Sequence, residues 1–596
     1  RQPDGVQLQT TAGTLRVRIV TNTLVRVSFA KSIASLPPSS PAIVLSQGDR
    51  SPWSLSETAN LATLNTGKLQ VEIDKHTARV RFLDENHRPL LAEKQNGHTL
   101  EAATLDGHAE QHIAQTWIAD AGESLDGLGQ QQLGTVDIKG YDLDLWQRNT
   151  NIVVPSLVSS RGYGIFWDNL SFTRFGDLRP FVPVPATVLL NREGTRGGLS
   201  LHAVGSTELL SSASVPIIDI PPGGRQTLRS LRWEGFVEAP ATGTYQFRTY
   251  SNGGIKVWLD GKLVIHHWRQ NWLAEYDQVL LPMEAGKRYA VAVETDAEQQ
   301  STLYFEWKTP PPNEDTSLWS EAGSGIDYYF LYGPRIDDVI AGFRKLTGKA
   351  TMLPQWAFGL WQSRQRYETA QQSLDIVSEF RRRKIPFDNI VQDWQYWRPD
   401  SWGSHAFDPT RFPDPDAWIK QIHDLHAHLM ISVWGKFNPE TANGKEMQAH
   451  GFLYQPNLTE HLKDWIGYPY SFYDAFNPEA RKLFWSQIDG SLFRKGVDAW
   501  WMDASEPDLL PSPPTLAAQR AHLNPTAMGT GAEVLNGYAL MNSEGVYSGQ
   551  RASESAIHPG SDNQRVFILT RSGYAGQQRY STVSWSGDIT STWTAL

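Results

Sequence analysis

After residue 350 the sequence repeats one unit, a short apolar run followed by a helical stretch, and no other feature restricts the possible folds so strongly. Six such runs follow in order, at 358–361, 389–393, 429–434, 498–503, 566–571 and 582–588. Strands this continuously apolar are buried on both faces, which requires a parallel sheet with helices packed over it. Between the first two, residues 370–383 repeat apolar Leu374, Ile376, Val377 and Phe380 among charges, the spacing of a helix with one buried face. A (β/α)8 barrel is the expected architecture, with a doubly wound sheet as the alternative. A complete barrel takes eight strands, and six precede Leu596. An open sheet edge would leave backbone groups unpaired, so the last two strands are expected in a continuation of the chain.

The 596 residues exceed what one hydrophobic core holds, and the earlier part has a different grammar. Residues 1–203 alternate apolar and polar, as in Thr14-Leu15-Arg16-Val17-Arg18-Ile19-Val20 and Lys68-Leu69-Gln70-Val71-Glu72-Ile73, the period of half-buried strands. They predict an N-terminal β-sandwich that continues at about 313–345. Residues 204–312 keep the strand period but add the Gly-rich turns Ser251-Asn252-Gly253-Gly254 and Asp260-Gly261 and more Trp. This stretch predicts an inserted β-sandwich module, closed by Thr309-Pro310-Pro311-Pro312-Asn313, where proline cannot donate to a ladder. The chain is thus expected to be multidomain, β plus α/β, with residues 346–596 forming the barrel.

A net charge of -10 argues against a nucleic-acid surface, which needs clustered Lys and Arg. The absence of cysteine excludes disulfides, thiolate metal sites and cysteine nucleophiles. No apolar run approaches the roughly 18 residues of a membrane span. These features fit an exported protein, periplasmic, cell-surface or secreted, with a neutral partner and no cofactor; nothing bears on its oligomeric state. Aromatic residues are abundant, 23 Trp, 20 Tyr and 23 Phe, and many stand in polar surroundings. Sugars have apolar faces and hydroxylated edges, so their pockets combine flat rings with Asp, Arg and His.

Four of the six runs close on a charge: Asp393, Asp503, Arg571 and Asp588. In a barrel the C-terminal strand ends surround one mouth, so these four would meet there, together with the strand-end rings Trp434, Trp501 and Trp585. Paired structural charges are the plainer alternative for any one of them. Hydrolysis of a glycoside needs two carboxyls across an anomeric carbon, and Asp503 and Asp588 supply a pair. Arg571 suits holding a carboxylate ionised, and Asp393 suits two vicinal hydroxyls.

The run Trp501-Met502-Asp503-Ala504-Ser505-Glu506-Pro507 resembles the nucleophile motif of glycoside hydrolase family 31. The blocks Leu569-Thr570-Arg571-Ser572-Gly573-Tyr574-Ala575-Gly576-Gln577-Gln578-Arg579-Tyr580 and Trp585-Ser586-Gly587-Asp588 resemble its later motif, which ends on the acid/base. Leu353-Pro354-Gln355-Trp356-Ala357-Phe358-Gly359 and Tyr163-Gly164-Ile165-Phe166-Trp167-Asp168-Asn169 extend the resemblance, and Ser505 departs from the family's more frequent Asn. The resemblance implies retention of configuration, with Asp503 as nucleophile and Asp588 as general acid/base. The stretch from Asp393 and Trp394 to His405 looks like the α-xylosidase branch. Trp394 would fill the space of a glucose hydroxymethyl group, or else pack against the barrel rim. The expected activity is that of an exo-acting retaining α-xylosidase on xyloglucan oligosaccharides. An α-glucosidase or transglucosylase of the same family is the alternative, and a non-catalytic carbohydrate-binding protein is a third.

The runs Arg232-Trp233-Glu234-Gly235-Phe236 and Val257-Trp258-Leu259-Asp260-Gly261 resemble the protective-antigen-like sandwich of carbohydrate-active proteins. Its calcium-binding pair of aspartates is replaced by Ser251-Asn252-Gly253-Gly254, so no calcium is expected; Trp268 or Trp272 would extend a substrate groove. Glu506 and Asp508 are expected to orient Arg571 or its loop. His423, His426 and His428 match no complete metal-ligand set and are expected on a helix face, so no metal is assigned.

Overall fold

The computed structural model describes residues 1–45, 51–210, 214–220, 230–267, 274–295, 302–510, 515–559, 564–589, 591 and 593. The N-terminal part is a sandwich of a seven-stranded and a nine-stranded antiparallel sheet. The strands Asp315–Ser320 and Ile326–Tyr332, which follow the inserted module, complete these two sheets. Tyr163–Trp167 is buried along its whole length, because both of its faces are covered. Tyr163, Ile165 and Trp167 enter the sandwich core, while Phe166 packs on the other side with Leu331, Leu540 and Tyr574 against the barrel. Arg579 ties the same junction, its guanidinium donating to the carbonyls of Pro41, Ala42 and Thr347.

The inserted module has its own core, from Trp233, Tyr245 and Phe247 to Phe305 and Trp307, between two sheets. Val182–Pro183, Leu189–Leu190 and Ser200–Ala203 pair with its strands, so the module's sheets begin well before residue 204. These pairings are two to four residues long, too short for the sequence period to separate them from the sandwich. In the turn at 251–254 the Ser251 hydroxyl donates to Gly253 O and the Asn252 side chain accepts from Thr302 N. Trp268 and Trp272 lie outside the described residues.

Among the described residues, the C-terminal part carries a parallel sheet of six strands in chain order: β1 (Trp361–Gln362), β2 (Asn389–Gln392), β3 (His428–Ser432), β4 (Ala499–Met502), β5 (Ile568–Thr570) and β6 (Thr582–Ser584). Side chains alternate across it. Ile390, Leu429, Ile431, Trp500 and Ile568 point outward into the core shared with helices such as α1 (Ala370–Arg382) and α2 (Pro415–Asp424). Val391, Met430, Ala499 and Leu569 point inward into a separate apolar cluster. This is the layered interior of a (β/α)8 barrel rather than of a doubly wound sheet.

The observed strands differ from the sequence reading at the two edges. Phe358 belongs to a short 3-10 turn, Gln355–Phe358, and β1 starts at Trp361. β6 ends at Ser584, four residues before Asp588, because Gly587 turns the chain out of the ladder with φ +72°.

Candidate active site

The inward alternation sets the site. Asp393, Asp503 and Arg571 each stand directly after a strand, two residues beyond Val391, Trp501 and Leu569 on the same face. Trp501 and Trp585 meet at 4.9 Å between ring centroids and pack on the inward cluster, forming an apolar layer one step below the charges. The carboxyl of Asp503 is largely buried, its Oδ1 accepting from Ala504 N at 2.7 Å.

Arg571 joins the acidic groups. Its Nε donates to Glu506 Oε1 at 2.7 Å, and its Nη1 lies 3.2 Å from Asp503 Oδ1 and 4.0 Å from Asp588 Oδ2. Two oxygens that share one nitrogen can be no farther apart than those two distances laid end to end. That limit admits the roughly 5–5.5 Å spacing of a retaining carboxyl pair. The two carboxyls differ in exposure: the side chain of Asp503 is 17% exposed and that of Asp588 is 54% exposed. One is shielded, and the other reaches water. Asn149, from the N-terminal sandwich, donates to Asp588 Oδ2 at 2.6 Å and accepts from Asp588 N at 2.9 Å.

Burial dominates the electrostatics. It pushes the Asp393 carboxyl up to about 8, with the neighbouring charges of Asp503 and Asp588 acting in the same direction. Hydrogen bonds from Trp394 N, at 2.7 Å, and from the Ser432 hydroxyl work against this rise. Burial also raises Asp503, opposed chiefly by Arg571, and lifts Glu506 to about 7. For Arg571 burial disfavours the charge, but Glu506, Asp503, Asp508 and Asp588 outweigh it and hold the guanidinium protonated. Arg571 thus faces several acids: at neutral pH Asp393 carries a proton, while for Asp503 the neighbouring guanidinium works against the rise that burial imposes.

Aromatic rings form one wall. Trp394 stacks on Trp402 at 5.8 Å and meets the exposed Trp465 edge-on at 5.0 Å, with the Arg366 guanidinium 4.8 Å from its ring centre. Trp434 is buried, donates Nε1 to Ser432 Oγ at 3.0 Å and lies 4.7 Å from Trp402. Lys436, 1% exposed, sits among Trp402, Trp434 and Tyr470 and pairs with Asp464 at 3.3 Å. The sequence reading missed Lys436, although a lone lysine inside Trp434-Gly435-Lys436-Phe437 is a usable signal. It also missed Asn149, for which the sequence carries none.

The histidines belong elsewhere. His423 Nε2 and His428 Nδ1 bond the two oxygens of Asp498, at 2.9 and 3.1 Å, where β3 begins. That is the end of the strands opposite the carboxyls, the end that serves stability in a barrel.

Three domain families match this chain. Residues 350–596 match the glycosyl hydrolases family 31 TIM-barrel domain, residues 14–175 the glycosyl hydrolase 31 N-terminal galactose mutarotase-like domain, and residues 219–317 the PA14 domain. An α-xylosidase of Saccharolobus solfataricus is 43% identical over 279 residues, which cover 47% of this chain and 35% of that protein. α-Glucosidase 2 of Bacillus thermoamyloliquefaciens is 30% identical over 286 residues, 47% of this chain and 35% of that one. The crystal structure of a family 31 α-xylosidase from Xanthomonas citri is similar with a TM-score of 0.89 and 38% identity, covering 100% of this chain and 66% of that one. The chain therefore spans about a third of the length of these curated relatives and just under two thirds of the crystallised one.

Proposed function

Because the chain belongs, through its barrel and its N-terminal domain, to glycoside hydrolase family 31, we propose that it releases α-xylose from the non-reducing ends of xyloglucan oligosaccharides with retention. The observation that carries this reading is the Arg571 guanidinium between two carboxyls of unlike exposure, 3.2 Å from Asp503 and 4.0 Å from Asp588. Asp503 is the nucleophile and Asp588 the general acid/base. In the first step Asp503 bonds to the anomeric carbon while the proton of Asp588 goes to the departing oxygen. In the second, water attacks that carbon, Asp588 takes the water's proton, and the ester to Asp503 breaks. Asp393 and Arg571 bind sugar hydroxyls, Trp394 and Trp434 line the wall, and Trp501 and Trp585 floor the pocket.

The preference for xylose is supported by Trp394, which Trp402, Trp465 and Arg366 hold in place beside Asp393. In this reading the fixed ring crowds the space that a hydroxymethyl group would take. Such a group is worth only roughly 1–3 kcal/mol, so α-glucosides are expected as slow substrates. The similarity to an α-glucosidase keeps glucose as the second reading.

Trapping with a fluorinated glycosyl donor, then mass spectrometry of the labelled peptide, tests the mechanism: the label is expected on Asp503. Asp503→Ala is expected to lower kcat by roughly four orders of magnitude or more. Near-normal turnover by that variant defeats the assignment. Turnover of aryl α-xyloside against aryl α-glucoside decides the sugar.

A further inference from the structure

The turn at 148–151 of the N-terminal sandwich reaches the barrel mouth. Asn151 N donates to Arg148 O at 3.0 Å, and Thr150 between them has φ +75°, a left-handed conformation that β-branched residues seldom adopt. Contacts from two other segments hold it. Gln130 Nε2 donates to Thr150 O at 2.9 Å and to Ser586 O at 3.2 Å, and the Thr150 hydroxyl donates to Glu275 Oε1 of the module at 3.2 Å.

So fixed, the turn presents both ends of the Asn149 amide to Asp588. A backbone N–H only donates, so Asn149 Oδ1 must face Asp588 N and the amide nitrogen must face Asp588 Oδ2. The approach is close: a Cβ on Gly587 would stand 2.5 Å from Asn149 Oδ1 and 2.6 Å from Thr150 N.

We propose that Asn149 is the positioning residue for the proton donor, tying Oδ2 of Asp588 so that Oδ1 exchanges the proton with the glycosidic oxygen. This rests on the reading of Asp588 as the acid/base. The donated hydrogen bond stabilises the carboxylate that appears once the proton has left, and Asn149 itself gives up none. Its effect is confined to steps in which that proton matters.

The test compares kcat/KM, which reports the first bond cleavage, on an unactivated disaccharide and on a glycosyl fluoride of the sugar that is turned over. Fluoride leaves without a proton. In the full chain, Asn149→Ala is expected to lower kcat/KM roughly 10–100-fold on the disaccharide and less than about threefold on the fluoride. Asn149→Asp keeps the acceptor for Asp588 N but sets an anion against Oδ2, so its loss on the disaccharide is expected to be larger. Being isosteric, it carries the test if the alanine variant fails to melt cooperatively. Equal losses on both substrates overturn the proposal. Asp588→Ala separates the two claims: a loss confined to the disaccharide keeps Asp588 as the acid, whatever Asn149 does, and equal loss on both substrates removes both readings.

Discussion

Asp168, in the buried run that leads from the sandwich to the barrel, has Oδ2 on Ser40 N at 3.1 Å and Oδ1 buried without a hydrogen-bond partner among the described residues. Burial, with help from Asp327, pushes it up to about 7. An unfolded aspartate titrates near 4, so between about pH 4 and 7 the folded chain holds one proton more than the unfolded one. The stability this carboxyl contributes is full on the acid side and is lost as pH rises through 7. Asp168→Asn is therefore expected to flatten the stability curve by about one proton, close to 1.4 kcal/mol per pH unit at its steepest, when urea unfolding is compared from pH 5 to 8. An unchanged slope would refute it. At this scale the sequence was informative where one strand governs a side chain. Asp393, Asp503 and Arg571 followed from alternation plus a terminal charge. Asn149 did not, because its partner is 439 residues away and meets it only through the packing of two domains.

The segment from β6 to Asp588 shows how an element can be read correctly and ended wrongly. Thr582–Ser584 pairs with β5 as the apolar pattern requires, but the ladder stops there and Gly587 redirects the chain. No period announces that turn; Asn149 and Thr150 stand where a Cβ on residue 587 would go. Gly587→Ala would add both left-handed strain and a collision with backbone. It is expected to cost about 1–2 kcal/mol of stability. Because Asp588 would shift from Arg571, its proposed role as acid/base predicts that kcat/KM falls roughly 10-fold or more. Thermal melts and steady-state kinetics on one preparation check both; wild-type kinetics would show that the loop tolerates the displacement.

On the scale of the whole molecule, the module rests on the sandwich through a buried pair, Lys308 with Asp142, and Lys308 also donates to Asp177 O. Burial disfavours both charges, lowering Lys308 and lifting Asp142 to about 6. Lys308→Met would leave Asp142 to be neutralised by a proton, which is easy at pH 5 and costly at pH 8. The variant is expected to lose little stability at pH 5 and about 3 kcal/mol at pH 8, read by urea unfolding. A loss independent of pH would mean the pair is not what joins the two domains. The domain order and the barrel class were legible because each part has its own period; where the module's sheets begin was not, because the strands that decide it are two to four residues long. The sandwich strand Leu24–Ala30 pairs with Ile326–Tyr332, and the entire module lies between them in the chain. During synthesis from the N-terminus, the insert emerges complete while its host still waits for a partner strand. The guest thus has the chance to fold first, and the ribosome must hold an unfinished sheet open until it has done so.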